Sequence, residues 1–131
     1  MWKNTITPRF SDTDALQHIS NIAIIDWMEA SRQDMFRLFS PDLDPKKWNL
    51  ILARVATDFL AQLYYQYDVE VQTVVTHIGN SSFTIEQTAI QNGKSCAVTE
   101  AIFVQFNHQS QKSMPLTEQV KKELEQHLKE S

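Results

Sequence analysis

The chain has 131 residues, of which 42% are hydrophobic and 21% charged, enough length and apolar content for one domain with a real core, expected to span 1–131. Its net charge of −4 argues against a broad nucleic-acid surface, which needs a basic patch. Only two glycines occur, Gly79 and Gly93, which excludes G-x-G-x-x-G and Walker-type phosphate loops.

Residues 2–8 read as a first strand, with Trp2, Asn4 and Ile6 on one face and Lys3, Thr5 and Thr7 on the other. A polar knot follows: Ser11-Asp12-Thr13-Asp14, then His18, Ser20 and Asn21. Asp12 is expected to brace the turn, with Arg9 and Arg32 as partners. Next comes an apolar run with helical spacing. Ile24, Met28, Ser31, Met35 and Leu38 fall on one face, widened by Ile25 and Phe39, while Asp26, Glu29, Gln33 and Arg37 fall on the other. Ser20 or Asn21 can cap this helix, and Ser40-Pro41 should end it, because proline disfavours the helical conformation in the residue before it. The free N–H groups near Ile19 to Ile22 therefore lie beside the acidic knot, where they can hold an anion or a forming oxyanion.

The stretch 40–49 reads as a loop, in which Trp48 is either an apolar lid or a loop anchor. A second strand, 51–60, alternates imperfectly; it offers an unblunted edge, and its Asp58 reads as a strand-end charge. An aromatic-rich link, 63–67, leads to three long strands, 68–78, 82–91 and 95–107. Gly79-Asn80 makes the first turn, and Asn92-Gly93 is a strong signal for a type I′ hairpin. A polar linker and Pro115 precede a short helix from about Thr117, with Val120, Leu124 and Leu128 as a thin apolar stripe. Short turns force antiparallel neighbours, and only one long helix is available to cover the apolar face of the sheet. The economical solution is an α+β domain in which a curved antiparallel sheet wraps around that helix, the main rival on pattern alone being another two-layer α+β sandwich.

The single cysteine, Cys96, excludes an internal disulfide and reads as a half-buried structural thiol, pointing to a reducing compartment. With no apolar run long enough to span a membrane and no signal-peptide pattern, a cytoplasmic location is expected. His18, His77, His108 and His127 lack ligand spacing, so no metal site is expected.

Arg9-Phe10-x-Asp12-Thr13-Asp14, His18-Ile19-x-Asn21, Glu29 and Arg32 together resemble the start of the central helix in hotdog-fold thioesterases, nearest to the 4-hydroxybenzoyl-CoA thioesterase-like acyl-CoA hydrolases. The pattern there reads R-aromatic-x-D-T-D-x-x-G-H-V-N-N-x-x-Y, followed by an acidic residue and an arginine. Three positions depart from it. Gln17 replaces glycine, so the loop is expected to take another shape. Ser20 replaces the first asparagine, and Ile24 replaces the tyrosine.

The resemblance implies a hotdog fold with a five-stranded antiparallel sheet, a long central helix and a short C-terminal helix. It implies hydrolysis of an acyl-CoA or acyl-carrier-protein thioester, with Asp14 as general base or nucleophile and the CoA moiety bound as part of the substrate, without a separate cofactor. His18 would position the thioester or tie the loop, and Asn21 would orient water. Backbone N–H groups of Ile19 to Ile22 would hold the oxyanion. Ser81, Ser82 and Phe83 would approach the CoA moiety, with Arg54, Lys94 and Lys112 as candidate phosphate contacts. Two protomers would join edge to edge into a homodimer or homotetramer. The alternatives are a non-catalytic acyl-thioester-binding module and a hotdog dehydratase.

Overall fold

The computed structural model of the chain describes residues 1–130. Five strands, β1 (Trp2–Ile6), β2 (Leu50–Phe59), β3 (Val69–Ile78), β4 (Ser82–Gln91) and β5 (Lys94–Asn107), form one antiparallel sheet in the order β1-β3-β4-β5-β2. Helix α1 (Asn21–Ala30) packs on its inner face, followed by one turn of helix, α2 (Gln33–Phe36). A two-residue strand, β6 (Lys112–Ser113), pairs with the end of β5, and α3 (Glu118–Glu125) closes the described chain. This is the hotdog arrangement, a curved antiparallel sheet around a central helix.

Local chemistry explains the best-formed parts. β3 and β4 alternate buried and half-buried positions, as period-2 strands covered on one side must. Asn92 and Gly93 both take positive φ, 52° and 77°, which a type I′ turn requires. Ser20 caps α1, its Oγ accepting from the Ala23 N–H at 3.2 Å.

The single helix expected to run to Ser40 is instead broken at Ser31 and Arg32. The cause lies across the sheet. Gln87 Nε2 donates to the Met28 carbonyl at 2.8 Å, taking an acceptor that the next helical turn would use. The Arg32 N–H turns to the Glu29 carbonyl instead, at 3.1 Å, and Asn4 Nδ2 donates to the Ser31 carbonyl at 3.3 Å. Ile24, Met28, Ser31 and Met35 are buried as expected, but Ile25 is 49% exposed and does not widen the core face. The apolar stripe of the last helix is also shorter than expected. α3 buries Leu124, whereas Leu128 lies beyond it in a bridge to Val75.

A polar rung divides the core. Thr73, Gln87, Thr99 and Thr57 are successive cross-strand neighbours on the inner face. On one side lie Ile24, Met28, Leu63, Val71 and Ala97; on the other lie Met35, Leu50, Phe83, Phe103 and Leu124.

β2 lies at the sheet edge, and its imperfect alternation comes from a bulge: Leu52 pairs with Phe103 and Arg54 with Ile102, leaving Ala53 extra. Leu52, Val55 and Phe59 thereby all sit opposite the buried β5 residues Phe103, Ala101 and Ala97. They nevertheless remain 43%, 48% and 44% exposed, because none of the described residues covers that part of the inner face.

Candidate active site at the start of the central helix

The knot before α1 is held by backbone pairing. A 3-10 turn, Phe10–Asp12, buries the Asp12 carboxylate, which accepts from the Arg9 N–H at 2.8 Å and from Arg9 Nη2 at 3.1 Å. Burial opposes the charge on Asp12, and the Arg9 hydrogen bonds outweigh it, so its pKa lies below the ordinary carboxylate value. Asp12 thus braces the turn with Arg9 alone. Arg32, expected as a second partner, is buried elsewhere with Nε on Gln87 Oε1 at 2.9 Å.

Asp14 is exposed, and one side of its carboxylate is fixed. Oδ1 accepts from the N–H groups of Leu16 at 2.8 Å and His18 at 3.3 Å. Oδ2 has no partner among the described residues. The Asp14 N–H donates to the His18 carbonyl at 2.8 Å, closing the loop 14–18. Gln17 sits inside that loop at φ 66°, so the left-handed turn forms despite its β-carbon, contrary to expectation. The hydrogen bond from Gln17 N–H to the Asp14 carbonyl at 3.1 Å, with the Asp14–His18 pairing, holds it there. Phe10, Thr13, Asp14, Gln17, Tyr65 and Gln66 line a pocket of about 280 Å³.

His18 ties the loop through its backbone, bridging to Tyr64, and its ring meets the Tyr64 ring edge-on at 5.6 Å. Ile19 is not a surface residue. Its side chain is buried, and its N–H donates to the Leu63 carbonyl at 2.9 Å. The Ser20 N–H is likewise taken by the Asp12 carbonyl at 2.8 Å, and that of Ala23 by Ser20 Oγ. The N–H groups without a protein acceptor at this helix start, among the described residues, are those of Asn21 and Ile22. Asn21 faces a separate pocket of about 330 Å³ with Ile24, Phe59 and Leu60, so within one chain it does not share the Asp14 pocket.

Ser81, Ser82 and Phe83 are not brought to Asp14 within one chain. Phe83 is fully buried, stacked between Phe39 at 5.4 Å and Phe103 at 5.6 Å in the cluster beyond the polar rung. The carbonyls of Ser82 and Ser81 accept from Gly79 and Gln105 N–H groups. Trp48 packs edge-on against Phe36 at 4.9 Å and also lines a pocket of about 540 Å³ with Asp26, Glu29 and Leu43, so it is both anchor and wall. Of the candidate cations, Arg54 pairs with Glu100 at 3.2 Å. Lys94 and Lys112 have no ion pair among the described residues. Cys96 is buried, its thiol donating to the Lys94 carbonyl at 3.3 Å. No group of three or more His, Cys, Asp or Glu able to hold a metal ion occurs among the described residues, and none of their helices is long and apolar enough to cross a membrane.

Sequence reasoning passed over Gln91. This buried amide accepts from the Tyr64 N–H at 2.9 Å and donates to the carbonyls of Tyr64 and Tyr67 at 2.8 and 2.9 Å. It fixes the aromatic segment that walls the Asp14 pocket. Its signal was available: an amide at an inward position of β4, directly before Asn92-Gly93.

Comparison with known proteins adds family evidence. A family model described as the thioesterase-like superfamily matches residues 8–124. The structure of a predicted thioesterase from Bacillus stearothermophilus superposes with a TM-score of 0.94 at 37% identity, covering 99% of this chain and 98% of that one. A Thermus thermophilus thioesterase complexed with coenzyme A and zinc superposes with a TM-score of 0.81 at 26% identity, over 93% of this chain and 95% of that one. The uncharacterized protein YsmA of Bacillus subtilis is 24% identical over 122 residues, 92% of this chain and 83% of YsmA.

Proposed function

The chain belongs to the thioesterase-like superfamily, and from that premise we propose that it hydrolyses acyl-CoA thioesters to a free acid and a thiol. The observation that carries this reading is a half-anchored carboxylate in the loop that leads into α1, a helix whose start presents unspent donors. Asp14 Oδ1 is held by two backbone N–H groups, and Oδ2 has no partner among the described residues. Asn21 and Ile22 present N–H groups at the positive end of α1. In the proposed reaction Asp14 takes a proton from water as the oxygen attacks the thioester carbonyl, and the charge forming on the carbonyl oxygen is met by those donors. Collapse of the intermediate breaks the C–S bond, and the thiolate leaves with the proton. Direct attack by Asp14, giving an anhydride that water then opens, uses the same groups. The coenzyme A bound by the Thermus relative supports a CoA thioester as substrate.

The proposed active form is an edge-to-edge assembly along β2. The uncovered inner residues Leu52, Val55 and Phe59 support it, since a sheet edge with an open apolar face invites a second chain. Antiparallel pairing about a two-fold axis would set the Phe59 end of β2 beside the Leu50 end of the partner's strand. The α1 start of one protomer would then face the far end of the partner's sheet, the end that carries the segment 81–83 in each chain.

The deciding experiment is turnover of a panel of acyl-CoAs followed by free thiol release. Thiol release at a rate well above the uncatalysed background supports the reading. Saturable binding of the panel with no release would replace it with a binding module.

A further inference from the structure

Gln17 combines backbone strain with placement on the Asp14 pocket. Its φ of 66° lies in the left-handed region, which a side chain with a β-carbon enters at a cost and which glycine or asparagine enters more readily. Such a residue suggests that the side chain has a use where it stands. The structure supplies the place: Gln17 lines the pocket of Asp14. Among the described residues its amide makes no hydrogen bond, nor does that of Gln66 on the same pocket. Thr13 donates its hydroxyl proton to the Phe10 carbonyl at 2.7 Å, leaving the oxygen able to accept. The apolar wall is Phe10 and Tyr65, set edge to face at 6.2 Å.

We propose that Gln17 is a specificity-determining residue, whose free amide beside Asp14 selects small acyl groups bearing a hydroxyl or oxo substituent over plain acyl groups of the same length. This rests on the thioester-hydrolase reading above. A pocket of about 280 Å³ has room for a short acyl group. The aromatic pair contacts its carbon skeleton. An amide offers both a donor and an acceptor, so it satisfies a hydroxyl or an oxo group and leaves an unsubstituted chain with two unmatched polar neighbours. A glycine here would relieve the backbone but leave that amide out.

The test compares wild type, Gln17→Met and Gln17→Gly with butanoyl-CoA and 3-hydroxybutanoyl-CoA, and with the stable thioethers S-butyl-CoA and S-(3-hydroxybutyl)-CoA. Methionine keeps the length and the β-carbon but removes the amide. Wild type should favour the hydroxylated member by about tenfold or more, in kcat/KM and in thioether affinity, the effect of one or two hydrogen bonds. Both variants should bring that ratio to within about threefold of unity, and Gln17→Gly should also raise the melting temperature by about 2–5 °C. A wild type without the preference, or a Gln17→Met variant that retains it, would overturn the inference. If wild type hydrolyses no member of the acyl-CoA panel, the hydrolase reading falls by itself, and the thioether affinities still decide the role of Gln17.

Discussion

Arg32 reaches across the interior to Gln87: its Nε donates to Oε1 at 2.9 Å, and Gln87 Nε2 then holds the Met28 carbonyl and Thr73 Oγ1, at 2.8 and 3.2 Å. Arg32 has no carboxylate partner among the described residues. Burial lowers its pKa, Glu29 offsets this in part, and the guanidinium lies 5.6 Å from the Phe103 ring. One amide thus joins the broken helix to two strands. Gln87→Leu leaves a buried cation and a buried carbonyl without partners and should cost about 2–4 kcal/mol. Urea unfolding measures it; a loss under about 1 kcal/mol would mean that the network is not a principal support.

Asp14→Asn keeps the shape of the side chain and an oxygen for the Leu16 and His18 N–H groups, but removes the base. Thiol release should fall by about a hundredfold or more at an unchanged melting temperature. Rates within about threefold of wild type would sink the assignment of Asp14.

Gly93→Val should destabilise the chain by about 1–2 kcal/mol. A β-carbon at Gly93 meets nothing within 4 Å, so the loss comes from the backbone, held at φ 77°. A thermal melt that does not move would show that the hairpin readily takes another turn.

His127 stacks on Trp2, with ring centroids 3.6 Å apart, and its buried Nδ1 has no partner among the described residues. Burial of the ring is the main cause that lowers its pKa from 6.5. The folded chain thus prefers the neutral ring. The associated stability is present above pH 6.5 and is lost as pH falls toward the lower folded value. His127→Phe keeps a ring on Trp2 without the titration. Melting temperatures between about pH 7.5 and 5 should fall less steeply in this variant than in wild type; parallel curves would rule out His127 as the source.

Light scattering at micromolar concentration should find a dimer or a dimer of dimers, and Val55→Arg should shift it toward monomer with loss of thiol release. A fully active monomer in either protein would refute both the β2 interface and the shared site.

The strands were legible because their signals are local. β3 to β5 show themselves by alternation and by the Asn92-Gly93 turn, and α1 by its cap. The helix break was hidden because it depends on Gln87, remote in sequence from Met28. The left-handed Gln17 was hidden because loop hydrogen bonds override the preference of the residue itself. In the knot before α1, Asp14 and Asn21 could be singled out as candidates by type and spacing. Ile19 could not be judged, because its N–H is consumed by Leu63, which only folding brings near. Phe83 was assigned from a motif position, and motif spacing is silent about burial.

The bulge at Ala53 has a consequence for how the chain can vary in length. Removing Ala53 would restore strict two-residue alternation with Leu50, Leu52, Val55, Thr57 and Phe59 all still on the inner face. An extra residue in the loop before β2, if the bulge were lost with it, would leave the total spacing from Ser40 to Val55 unchanged. The bulge thus acts as slack in the thread: it confines a one-residue gain or loss to the loop side of Arg54 and spares the half of the strand that runs toward the start of α1.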